Sequence, residues 1–139
     1  MLDVQDLDSA AAETESWMAD LMRRLGSGDR APVYLILVAT LQALRDSLSR
    51  DEAVYVGAQL PLLLRGLYYQ GWRADGRPMS RGRDAFLERI RRNGSYGPNI
   101  DAESLARAVF ATIATHFPMD EFKEARAASP VSLRDLWPS

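Results

Sequence analysis

Arg65 and Arg134 are the residues whose type and placement best suit recognition chemistry, because both fall in a block that occurs twice. Asp51-Glu52, Ala58, Pro61, Leu64-Arg65 and Leu67 return 69 positions later as Asp120-Glu121, Ala127, Pro130, Leu133-Arg134 and Leu136. A guanidinium fork fits carboxylate and phosphate, so two arginines in equivalent places suit a clamp on an anionic ligand or on a partner's carboxylates. The alternative is internal. Each arginine would pair with the acids repeated beside it, Asp51-Glu52 or Asp120-Glu121, near helix starts. Preservation of both signs together is what an internal pair predicts, and the ion pair is the preferred reading.

The acid pairs themselves do not form a catalytic dyad. Adjacent residues on a helix point about 100° apart and do not converge on one atom. Their place at a helix start is explained by capping and the helix dipole. His116, the single histidine, falls at the repeat position of Ser47 near a helix end, with no histidine, cysteine or evident acid at catalytic spacing. It reads as a solvated histidine near a helix C-terminus. No serine sits in a Gly-x-Ser-x-Gly elbow, and no phosphate-binding loop or dinucleotide fingerprint occurs. No enzyme activity and no cofactor are expected.

A second cluster is basic. Arg73, Arg77, Arg81, Arg83, Arg89, Arg91 and Arg92 fall within residues 73–92, where they face only Asp75, Asp84 and Glu88. They offer a surface for nucleic acid or another polyanion, with Trp72 or Tyr96 to stack on bases. Against it, residues 1–20 carry Asp3, Asp6, Asp8, Glu13, Glu15 and Asp20 with no base, and the whole chain has a net charge of −2. That acidic start could fold over the patch, and solvated linker charge is the preferred reading. A helix-turn-helix over Ser49 to Tyr69 would put leucines where a recognition helix needs base-reading side chains.

Composition narrows the field further. With no cysteine there is no disulfide, thiolate zinc site or thiol nucleophile. One histidine excludes a multi-histidine metal centre, and no metal site is assigned. An apolar fraction of 47% with 26% charged residues over 139 positions suits one globular domain with a real core. The longest apolar run, Ala31 to Leu44, is broken by Thr40 and Gln42 and is too short to span a bilayer. The acidic N-terminus does not resemble a signal peptide, and the expected location is cytoplasmic.

The elements that must position these residues follow from periodicity and caps. Residues 1–8 read as an acidic tail, with Asp8 or Ser9 capping a helix to Leu25 whose stripe is Trp17, Leu21 and Leu25. Gly26-Ser27-Gly28 ends it, and Asp29 caps a long helix to Leu48. Ser49-Arg50-Asp51-Glu52 is a capping box that starts a third helix. Pro61 stops that helix and opens a fourth, from Leu62 to Trp72, so the two meet at a proline corner. This fourth helix, with Leu62, Leu63, Leu64, Leu67, Tyr68 and Tyr69, is apolar on nearly every side, as befits a central helix or one covered by a partner. Residues 73–82 read as a linker, after which the order returns with Phe86, Ile90, Phe110, Ile113 and Phe117 in core positions and a turn at Gly94 to Pro98.

The stretch Gly57-Ala58-Gln59-Leu60-Pro61-Leu62-Leu63-Leu64-Arg65-Gly66-Leu67-Tyr68-Tyr69-Gln70-Gly71-Trp72 resembles the hallmark of the bacterial domain of unknown function 2267 family. Leu133-Arg134-Asp135-Leu136-Trp137-Pro138 resembles that family's ending. The resemblance covers about residues 15–138, with Ala128-Ser129-Pro130 departing from the Gln-Leu-Pro form. It implies an all-helical cytoplasmic bacterial protein and no activity or catalytic residues.

The expected architecture is therefore one all-α domain, with two four-helix repeats, 9–72 and 83–139, packed about a pseudo-twofold axis. The expected function is a non-catalytic interaction module for a protein partner or for self-association. Arg65 and Arg134 would be its polar anchors, and Tyr68, Tyr69 and Trp72 its apolar ones. Polyanion binding through Arg73, Arg77, Arg81, Arg83, Arg91 and Arg92 is the alternative.

Overall fold

The computed structural model describes residues 3–74, 82–94 and 101–139. Its first helix, α1 (Val4–Leu25), begins earlier than expected because Asp3 builds its own capping box. The Asp3 carboxylate accepts from the Gln5 amide at 2.8 Å, and the Asp3 amide donates to the Asp6 carboxylate at 2.7 Å. Asp8 and Ser9 are thus helical, and residues 4–8 of the expected tail lie in the first turns of α1. Gly26 ends the helix with φ 64°, a left-handed geometry that glycine adopts without strain.

The remaining elements are α2 (Arg30–Asp46), α3 (Arg50–Gln59), α4 (Leu62–Tyr69), α5 (Arg83–Gly94), α6 (Ala102–His116), α7 (Met119–Ala128) and a terminal 3₁₀ helix, Val131–Leu136. The fold is all-α, with eight helices among the described residues. Ser49 and Glu52 cap α3 reciprocally, at 3.3 and 2.8 Å. Leu60 and Pro61 are extended, with ψ of 146° and 157°, as a residue preceding proline prefers. Ser129 and Pro130 repeat that corner with ψ of 145° and 144°. The chain beyond differs: α4 stops at Tyr69, short of Trp72, while Val131–Leu136 winds into a 3₁₀ helix. Most of the expected linker, and the Gly94–Pro98 turn beyond Gly94, lie outside the described residues.

Packing between the halves is crossed. Helix α1 lies on α6 and α5 lies on α2, so the first helix of each half covers the second helix of the other, while α3 meets α7. Leu21, Ile36, Leu37, Leu41 and Leu44 are fully buried together with Phe86, Ile90, Phe110 and Ile113. Fully burying a side chain of this size contributes about 1.5–3 kcal/mol, and both halves supply the same core. At the far end, Trp137 stacks on Phe110 with ring centroids 4.1 Å apart and donates through Nε1 to the buried Ser129 hydroxyl at 2.9 Å.

One close approach fixes how α3 and α4 meet. A Cβ at Gly57 would fall on the Tyr69 ring and within 3.0 Å of Tyr68. The missing side chain lets both tyrosines pack there, and Tyr68 donates its hydroxyl to the Ala53 carbonyl at 2.7 Å.

Candidate functional site

The repeated arginines pair with neither repeated acid. Arg65 turns back from α4 and donates to carbonyls at the end of α3, through Nε to Gly57 at 3.1 Å and through Nη2 to Ala58 and Leu60 at 3.2 and 2.9 Å. Arg134 does the same one repeat later, reaching Ser129 at 3.0 Å and Ala127 at 3.0 Å. The last carbonyls of a helix have no intrahelical donor, and a guanidinium fork satisfies several at once. The expected ion pairs with Asp51-Glu52 and Asp120-Glu121 are replaced by this carbonyl cap. Arg65 Nη1 is left without a bond among the described residues.

A cleft of about 410 Å³ opens beside the Leu60-Pro61 corner. Glu13, Ser16 and Trp17 of α1 line one side, Gln59, Leu60, Pro61, Leu62 and Arg65 another, and His116 at the end of α6 closes it. His116 is not the solvated histidine that its spacing suggests. Its ring stacks on Trp17 at 5.0 Å, and Nε2 lies 3.4 Å from Oδ2 of the buried Asp20. Neither of those two buried atoms makes a hydrogen bond among the described residues. Asp20 Oδ1 accepts from Arg23 at 2.7 Å and Arg24 at 3.0 Å, and Arg24 also donates to Thr115 of α6. Four residues of sequence separate Asp20 from Arg24, but nothing in the linear pattern joins Asp20 to His116. Only the crossed packing of α1 on α6 does.

Along α4 the surface changes from polar to apolar. Leu62, Leu63, Leu67, Tyr69 and Gly66 line an open groove of about 660 Å³ against Thr14 of α1 and Tyr34 of α2. Leu62 and Leu63 are 55% and 46% exposed, and Tyr34 is 38% exposed. Helix α4 is therefore not central, as one of the two readings of its composition allowed. Leu64 and Tyr68 face the core, and Leu62 and Leu63 face outward. The Arg30–Glu15 pair borders the adjoining surface at 2.6 Å, and that bond holds the Glu15 carboxyl below its usual range.

The expected apolar anchors divide. Tyr68 is fully buried and belongs to the core, so it is unavailable to a partner. Tyr69 and Trp72 are half-buried, with rings 5.4 Å apart, and only Tyr69 lines the groove. Burial pushes the Tyr69 phenol up, with the Arg65 charge acting in the opposite direction. Leu62, Leu63 and Tyr34 were not singled out from sequence as contact residues, although the all-round apolar pattern of α4 pointed to the first two.

Three of the five described arginines of the basic segment hold carboxylates. Arg83 pairs with Asp135 at 2.5 Å and with Glu103 at 3.1 Å, and Arg91 pairs with Glu88 at 3.3 Å. Arg89 closes on the buried Asp46. Arg73 and Arg92 are exposed, while Arg77, Arg81 and Tyr96 lie outside the described residues. Arg83 and Arg91 of the polyanion set thus hold carboxylates, while Arg73 and Arg92 form no ion pair among the described residues. Among the described residues no group of three histidine, cysteine or carboxylate side chains is placed to hold a metal ion, and no helix is long and apolar enough to cross a membrane.

A family model described as an uncharacterized conserved protein, DUF2267, matches residues 14–136. The chain belongs to that family. No curated protein matches it.

Proposed function

We propose that this DUF2267 member is a non-catalytic interaction module that holds an apolar segment of a partner protein in the groove along α4, acting in the cytoplasm. The observation that carries the reading is the outward exposure of Leu62 and Leu63 beside Tyr34, on a helix whose other face is locked into the core. Contiguous exposed apolar side chains cost solubility and mark contact surfaces. A groove in the range of about 300–1,000 Å³ is large enough to bury anchor side chains. Arg45 and Arg89 are committed to the buried Asp46, and Arg83 to Asp135 and Glu103, which supports a structural part for these charges.

A photo-cross-linking residue in place of Leu63, compared with one in place of Val131, tests the reading in the native cell. Val131 is 75% exposed and lies outside the groove, so it controls for stickiness. The expected result is a discrete protein adduct from position 63 and none from position 131. Equal labelling at both positions, or none at either, contradicts the proposal. Sedimentation of the purified chain separates a second copy from a different partner.

A further inference from the structure

The polar cleft and the apolar groove adjoin at Leu62, which lines both. We infer that the partner segment ends in a free carboxylate, seated in the cleft by Arg65 and the first turn of α4, with its preceding apolar side chains running over Leu62 into the groove. This rests on the reading of α4 as a binding surface and adds the chemistry of what is bound.

The arginine is preorganised for such a role. Nε and Nη2 are already bonded to the Gly57, Ala58 and Leu60 carbonyls, so the guanidinium is held in one orientation, with no bond from Nη1 among the described residues. A carboxylate meeting it immobilises no long side chain. Beside it, α4 is preceded by Pro61, which has no side chain able to cap, and the amides of its first turn receive no side-chain acceptor among the described residues. Such amides, together with the helix dipole, favour an anion. The Ser16 hydroxyl, in the lining of the same cleft, adds a donor suited to a carboxylate.

The cleft also says which carboxylate. Glu13 stands in its wall, and it would repel an acidic run passing through. A chain end brings a single negative charge and no residue beyond it that a cleft of about 410 Å³ would have to accommodate. The source favoured is a C-terminus and not an aspartate or glutamate within a segment.

The test uses the full chain labelled with ¹⁵N and three short leucine, valine and phenylalanine peptides. One has a free C-terminus, one is amidated, and one is amidated with an internal aspartate. The free acid is expected to shift the amides of Leu62 and Leu63 and the indole of Trp17, and to bind about tenfold more tightly than the amide. Arg65→Ala should reduce it to the level of the amide. Should that variant fail to fold, Glu13→Gln carries the test, since Glu13 is exposed and forms no bond among the described residues. It should tighten free-acid binding several-fold and leave the amide unchanged.

Equal binding of acid and amide overturns the carboxylate anchor while leaving the groove reading intact. Equal binding of the internal-aspartate peptide overturns the terminus. No binding of any peptide at millimolar concentration also overturns this inference, and the cross-link from position 63 then decides the groove independently.

Discussion

Arg89 on α5 and Asp46 on α2 form an ion pair that joins the two halves of the chain, with the Asp46 side chain only 5% exposed. The same carboxylate takes both Nε and Nη2 of Arg45, at 2.9 and 2.8 Å. Arg45 in turn donates through Nη1 to the Tyr68 and Gln70 carbonyls at the end of α4. One buried acid thus connects α5, α2 and α4, and it sets the position of the helix that carries the groove.

Asp46→Ala leaves two guanidiniums facing a buried void, and an ion pair broken from one side costs about 3–5 kcal/mol. Urea unfolding should show that loss in a single transition, since both halves contribute to one core. A loss under about 1 kcal/mol would mean that water already satisfies this cluster.

Arg65→Ala removes three hydrogen bonds from a charged donor to helix-end carbonyls and should cost about 1.5–3 kcal/mol. The more exposed Arg134→Ala should cost less. A double-mutant cycle between Arg65 and Asp51 should give coupling within about 0.5 kcal/mol of zero. Coupling above about 1 kcal/mol would restore the ion pair that the sequence suggested.

Alkaline stability should depend on Tyr68. Burial pushes its phenol far above the ordinary value, with Tyr69 adding to the shift. The unfolded chain loses the proton near pH 10 and the folded chain only at higher pH, so this contribution is intact below about pH 10 and is lost as pH rises further. Tyr68→Phe should flatten the alkaline limb of the stability profile. It should also cost about 0.5–1.5 kcal/mol at neutral pH by removing the hydrogen bond to the Ala53 carbonyl.

Gly57→Ala should destabilise by about 1–3 kcal/mol, because the added methyl meets the Tyr69 phenol and displaces that ring from its place on α3. Its measurement is thermal unfolding. Restoration by Tyr69→Ala in the same chain would identify the clash as the cause.

Much of this fold was legible before any coordinates. The capping box at Ser49 and Glu52, the glycine stop at Gly26 and the corner at Pro61 are local chemistry, and each stands where spacing put it. The start of α1 was misread because three caps compete, and Asp3 prevails by bonding with Asp6. The partners of Arg65 and Arg134 were misread for a different reason. Side chains can be paired by sign from sequence, whereas the backbone carbonyls at a helix end present no residue type to read. His116 beside Asp20, and Arg89 beside Asp46, depend on helices crossing between halves, and no local pattern encodes that crossing.

The central claim is that the outward face of α4 holds a partner's apolar segment, and Tyr34 gives the most direct view because it stands across the groove from Leu63. A photo-cross-linking residue at position 34 should yield a discrete adduct in the native cell. In a Leu63→Glu background the adduct should disappear while the unfolding free energy stays within about 0.5 kcal/mol of the parent, as expected for an exposed site. An adduct that persists undiminished in the Leu63→Glu chain would contradict the account.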